Sequence, residues 1–246
     1  MTVGPVDAVT FDYWNTLVFE ERGHLAGRRL QAWAGILEEA GFAVERDHLD
    51  AVFRADWDEF VRRWTSNEQY QWAEAAEARV ESLGFAVPAD VRAELIDAFG
   101  RAGEDAAVHL TANIGECLRA LKTAGVRLGI ICDVGLAPST TLRAHLHRSG
   151  LLELFDHWSF SDEVGVYKPD PRIFEHALAG LGDVPPERAA HVGDIRRTDV
   201  AGALGMRMAA VRYTGIADDT STEHPEADHV IDDHRKLPPL LGVGGA

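Results

Sequence analysis

From residue 20 to residue 107 the chain carries no strand pattern at all, while the segments on either side read as alternating strand and helix. In the strand-free stretch apolar residues recur at spacings of three and four: Ala26, Leu30, Trp33 and Leu37, then Leu49, Phe53, Trp57, Phe60 and Trp64. Trp72, Ala76, Val80 and Leu83 follow, and then Val91, Leu95 and Phe99. That spacing predicts amphipathic helices. Gly41 and Gly84 stand where the first and third should stop, and each is followed by Phe-Ala-Val. The shared tetrapeptide is read as stop-and-restart grammar rather than a repeat array, which needs at least three units.

The flanking segments set the fold class. Ala8 to Val18, AVTFDYWNTLV, opens with a β-branched and aromatic run that feeds into Asp12, with Thr16 four residues on. From Thr111 strands are expected at Val126–Ile131, Trp158–Phe160, Arg188–Val192 and Met208–Val211, with helices between them and an edge strand at Val230–Ile231. Such alternation is the pattern of a doubly wound, mostly parallel α/β sheet. Residues 1–19 and 108–246 are therefore read as the core and 20–107 as an inserted four-helix cap, with hinges near Phe19 and His109. The tail from Leu237, rich in Pro and Gly, is expected to fray.

The 246 residues carry 24 Lys and Arg against 40 acids, a net charge of −16, and no basic cluster interrupts the balance. This argues against a nucleic-acid partner. No apolar run approaches the length of a membrane helix, and Cys117 and Cys132 suggest neither a disulfide framework nor a metal knuckle. A soluble, reducing, cytoplasmic setting is expected. The oligomeric state is left open.

An Asp at the carboxyl end of a parallel strand points at a crevice, although such residues also serve as turn formers and caps. Three further motifs follow Asp12 in order: IICD, ending at Cys132 and Asp133; YKPD, with Lys168; and GDIRRTD, with Asp194 and Asp199. Together with DYWNT they resemble the haloacid dehalogenase (HAD) superfamily. The resemblance implies a Rossmann-like core and a helical cap. It implies Asp12 as nucleophile, Lys168 as a site cation, and Mg²⁺ held by Asp12, the Trp14 carbonyl and Asp194, with Asp199 supporting them. Thr16 is expected to bond backbone at the tight turn and to lie, with Trp14, Cys132 and Lys168, around the substrate.

Two departures bear on activity. Family phosphatases place a second Asp two residues after the nucleophile, as general acid and base, and here that position is Trp14, whose indole can do neither job. Such catalysis is typically worth about 10² to 10⁴ in rate. Cys132 stands where the family usually has Ser or Thr, and Asp133 beside it is taken as a candidate replacement acid. The expected reaction is Mg²⁺-dependent phosphoryl hydrolysis or transfer on a small phosphorylated metabolite. The alternatives are a metal-independent haloacid dehalogenase, whose members have Tyr in place of the second Asp but lack the late metal-binding Asp, and a non-catalytic phospho-ligand binding protein.

Overall fold

A computed structural model describes residues 6–21, 23–104 and 106–243. The strands are β1 (Ala8–Phe11), β2 (Val18–Glu20), β3 (Val108–Leu110), β4 (Arg127–Cys132), β5 (His157–Phe160), β6 (Ala189–Gly193), β7 (Ala209–Tyr213) and β8 (His229–Ile231). Six form one sheet in the order β5-β4-β1-β6-β7-β8, with every pairing parallel. All four residues of β1 are fully buried, as a central strand covered on both faces requires. The chain winds from β1 outward to β4 and β5, then returns to β6 on the opposite flank. The crevice at the carboxyl end of β1 is thus a topological switch point, where α/β sheets place ligands.

By internal contacts the chain divides into two compact units. One holds residues up to Phe19, His109–Asp133 and Leu146 onward; the other holds Glu20–Val108 and Val134–His145. The second unit is built on α1 (His24–Glu39), α2 (Arg46–Thr65), α3 (Trp72–Ser82) and α4 (Ala89–Arg101), the helices expected from the periodicity. Its core gathers most of the residues the spacing selects, among them Leu30, Trp33, Leu37, Phe53, Phe60, Val80, Leu95 and Phe99, whereas Trp57, also selected, is 54% exposed. Gly41 and Gly84 end α1 and α3 at φ 83° and 81°, a conformation that a β-carbon disfavours. The phenylalanines after them, Phe42 and Phe85, stack with ring centroids 5.0 Å apart.

In the α/β unit, α5 (Ile114–Thr123) precedes β4, and α6 (Ser139–Arg148) reaches this unit by its last turn. The one-turn α7 (Ser161–Val164), then α8 (Pro171–Gly180) and α9 (Ala201–Gly205), follow β5 and β6. Ile173, Phe174, Ala177 and Leu178 of α8 pack with Ala203 of α9 against Ile131 and Ala210 of the sheet. Asp170 caps α8 through Arg172 N–H, with Pro171 in the first turn, where a missing N–H costs nothing.

Two features depart from the sequence reading. β2 and β3 form a two-stranded sheet where no strand was foreseen, because three residues each are too few to display an alternation. The tail does not fray from Leu237: α10 (Leu237–Leu240) follows a 3₁₀ turn, and Leu237 and Leu241 are buried, which ties it down. The last three residues of that segment lie outside the described residues.

Candidate active site

The carboxyl ends of β1, β4 and β6 bring Asp12, Cys132, Asp133 and Asp194 to one place, and the turn before α8 adds Lys168. Lys168 is 1% exposed. Its ammonium donates to Asp12 Oδ1 at 2.5 Å, Asp199 Oδ1 at 2.6 Å and the Ile131 carbonyl at 3.1 Å, so each of its three N–H groups has an acceptor. The backbone N–H of Lys168 donates to Asp133 Oδ1 at 2.8 Å, tying the lysine turn to the end of β4.

Asp199 lies in a π-helical turn, Arg196–Val200, directly before α9. Its Oδ1 also accepts from His191 Nε2 at 3.1 Å, and its Oδ2 from Ile195 N–H at 3.0 Å. A β-carbon on Gly193 would sit 2.2 Å from Asp199 Cγ, so only glycine lets the strand end approach this carboxylate. Asp194, 5% exposed, accepts from Asn15 Nδ2 at 3.2 Å. Asn15 holds φ 57°, a left-handed position that Asn tolerates.

Electrostatically the site is short of positive charge. Burial raises the Asp12 carboxyl to about 7, with Asp199 and Asp133 adding to the rise and Lys168 opposing it. Burial, then the charges of Asp12 and Asp199, push Asp194 well above the carboxylate range. For Lys168 burial alone would favour the neutral amine, but Asp12, Asp199 and Asp133 outweigh it and hold the ammonium well above its ordinary value. Asp199 is also buried, yet Lys168 and His191 keep it ionised, far below the usual range.

Oxygens of Asp12, Asp194 and Asp199 all lie within 4.8 Å of one another, a group that could hold a metal ion. The donor set suits a hard divalent cation, which takes oxygen ligands and would relieve the raised carboxyls of Asp12 and Asp194. Asp199, bonded at both oxygens, is the member least able to turn toward an ion.

The remaining expected residues fall as follows. Trp14 is half-buried, bridged to Val18 through backbone and edge-on to Tyr13 with centroids 5.0 Å apart. Cys132 is fully buried, and burial, reinforced by Asp12, pushes its thiol well up, which leaves it unreactive. Thr16 corrects an expectation: its hydroxyl is buried with no hydrogen-bond partner among the described residues. The backbone carbonyl of Thr16 does the anchoring instead, accepting Thr111 Oγ1 at 2.7 Å and His234 Nε2 at 2.9 Å.

Four contributors escaped the sequence reading: Thr10, Asn15, His191 and His234. A polar residue inside an otherwise apolar strand, as His191 is in AAHVG, was the available signal.

A family model described as haloacid dehalogenase-like hydrolase matches residues 6–206. The chain belongs to this family. Among curated relatives it is 35% identical over 127 residues to a glyceraldehyde 3-phosphate phosphatase of Methanothermobacter thermautotrophicus, covering 49% of this chain and 54% of that protein. It is 30% identical over 170 residues to (S)-2-haloacid dehalogenase 1 of a Pseudomonas species, covering 68% and 69%. The chain thus spans about half the length of the first of these. Among solved structures, a HAD phosphatase from Thermococcus onnurineus matches with TM-score 0.66 at 24% identity, covering 96% of this chain and 98% of that one. A 2-haloacid dehalogenase from Pseudomonas syringae pv. Tomato DC3000 matches with TM-score 0.70 at 23% identity and the same coverage. At such identities the likeness concerns the fold. No helix among the described residues is long and apolar enough to cross a membrane.

Proposed function

We propose that the chain is a Mg²⁺-dependent phosphatase or phosphoryl transferase acting on a small phosphorylated metabolite through Asp12. The observation that carries this reading is Asp194: a second buried carboxyl beside Asp12, pushed well up, stays protonated unless a cation joins it, and with Asp12 and Asp199 it forms a group that could hold one. Mg²⁺ held by Asp12, Asp194 and the Trp14 carbonyl would neutralise the carboxylates and polarise a phosphoryl oxygen.

The protein's own groups then have distinct tasks. Lys168 fixes the Asp12 carboxylate by its bond to Oδ1 and supplies a positive charge beside the incoming anion. An Asp12 oxygen bonds to phosphorus as the bond to the leaving-group oxygen breaks, giving an aspartyl phosphate that water hydrolyses. Asp133 Oδ1 accepts the Lys168 backbone N–H, which supports a task in positioning the lysine turn. With Trp14 in place of an acid, no side chain there protonates the leaving group. Substrates that leave as stable anions are therefore favoured.

The test is phosphate release from a panel of phosphorylated metabolites and one activated aryl phosphate, with and without Mg²⁺, using Asp12→Asn as the blank. Metal-dependent release that vanishes in the blank is expected. Trp14 supports a second reading, attack on the carbon of a 2-haloacid, since that chemistry needs no leaving-group acid. Halide release independent of metal would favour it. Tight binding of a phosphorylated ligand without product would favour a binding protein.

A further inference from the structure

β6 carries a histidine at the centre of a sheet buried on both faces. His191 is 1% exposed and pairs in register with Thr10 of β1, itself 0% exposed. A polar pair in such a place is costly unless its hydrogen bonds are made. Both are made: Thr10 Oγ1 lies 2.9 Å from His191 Nδ1, and Nε2 lies 3.1 Å from Asp199 Oδ1. The ring is further fixed by Phe174, edge-on at 5.3 Å. From Asp199 the contacts run on through Lys168 Nζ to Asp12 Oδ1, at 2.6 and 2.5 Å.

We propose that Thr10 and His191 are a positioning pair, in which the Thr10 hydroxyl holds the His191 ring in the orientation that clamps Asp199, and through it Lys168, onto the nucleophile. The inference rests on the reading of Asp12 as nucleophile. Asp199, held ionised, can only accept, so Nε2 carries the proton. With Nε2 donating to Asp199, Nδ1 of the neutral ring accepts from the Thr10 hydroxyl 2.9 Å away. Its one other acceptor among the described residues, the Ala190 carbonyl, is further away at 3.3 Å. Without the hydroxyl, Asp199 still keeps the proton on Nε2, but Nδ1 is left buried without a donor and the ring loses the contact that fixes its orientation toward Asp199. The clamp loosens. A second neighbour that orients a functional group in this way is commonly worth about 10- to 100-fold in activity.

The experiment compares Thr10→Val, Thr10→Ser, His191→Gln and His191→Leu by ¹⁵N NMR of the His191 ring where it remains, and by Mg²⁺-dependent turnover of an aryl phosphate. The ring is expected to be protonated on Nε2 in the wild type and in Thr10→Val, with the Nε2 proton signal shifted upfield in Thr10→Val as its bond to Asp199 weakens. Turnover number should fall about tenfold in Thr10→Val and further in His191→Leu, with KM little changed. Thr10→Ser and His191→Gln, which keep the donors, should recover most of it. Wild-type turnover in both Thr10→Val and His191→Leu, or a wild-type ring protonated on Nδ1, would overturn the proposal. If the wild type releases no phosphate, the functional reading fails separately. The Lys168 ammonium proton signal then decides: its loss in His191→Leu supports the clamp and its persistence refutes it.

Discussion

Both units bury ionised side chains, but they balance them differently. In the helical unit Arg79, 2% exposed, pairs with Asp56 and lies over the rings of Phe53 and Phe99 at 5.0 and 4.5 Å. Asp56 also accepts the Tyr70 hydroxyl. Arg29 donates to the carbonyls of Phe99 and Leu136 at 3.2 and 2.7 Å and sits 4.4 Å from the Phe99 centroid. Burial lowers both guanidinium groups to about 10, so they stay charged at neutral pH. Cations there meet an aspartate, carbonyls and ring faces, all supplied by the chain.

In the α/β unit the Lys168 ammonium bonds both Asp12 and Asp199, Arg197 adds its charge near Asp133 and Asp199, and the carboxyls of Asp12 and Asp194 are still driven upward. One cluster is closed by its own residues; the other gathers more carboxylates than cations and could hold a metal ion. Burial raises the Asp56 carboxyl too, so the two clusters differ in how many carboxylates each cation faces rather than in burial.

The sharpest way to break the comparison is to remove one member from each cluster. Asp12→Asn should lower turnover by more than about 10³-fold, as loss of a nucleophile does, while melting no earlier than the wild type. Arg79→Met should act the other way, leaving Asp56 buried without its partner and costing about 3–5 kcal/mol in urea unfolding. The specific activity of its folded fraction should not change.

A third expectation concerns pH. His234 is fully buried, and burial lowers its pKa from 6.5 to about 4. The unfolded chain therefore binds the proton first, so stability is full above pH 6.5 and declines as pH falls toward 4, by up to about 3 kcal/mol. Urea midpoints at pH 7, 5.5 and 4.5 measure this, and His234→Gln should flatten the profile.

The smallest effect is ligand linkage. Mg²⁺ at about 100 times its Kd should stabilise the wild type by about 2.7 kcal/mol, roughly 5 °C or more in Tm. Asp194→Asn should abolish that shift, whereas Asp56→Asn should leave it intact. An equal loss in both would erase the distinction between the clusters.

These expectations also mark what could be read in advance. The α1–α4 periodicity was legible because each helix buries one face repeatedly, and Asp12, Lys168, Asp194 and Asp199 because their motifs end strands or open turns in a fixed order. What escaped depends on register and chain reversal. Thr10 and His191 meet only because β1 and β6 are neighbours, 181 residues apart in sequence. His234 reaches Thr16 from the tail, where Pro and Gly suggested fraying, and β2 and β3 are strands only by virtue of each other.

The most direct test of the central claim is single-turnover hydrolysis of an aryl phosphate in H₂¹⁸O with Mg²⁺, followed by mass analysis of the released phosphate and of the Asp12 peptide. Attack on phosphorus, with hydrolysis at phosphorus, predicts ¹⁸O in the phosphate, none in Asp12, and no release by Asp12→Asn or without metal. Phosphate release that survives Asp12→Asn, or no release at all with Mg²⁺ present, would contradict it.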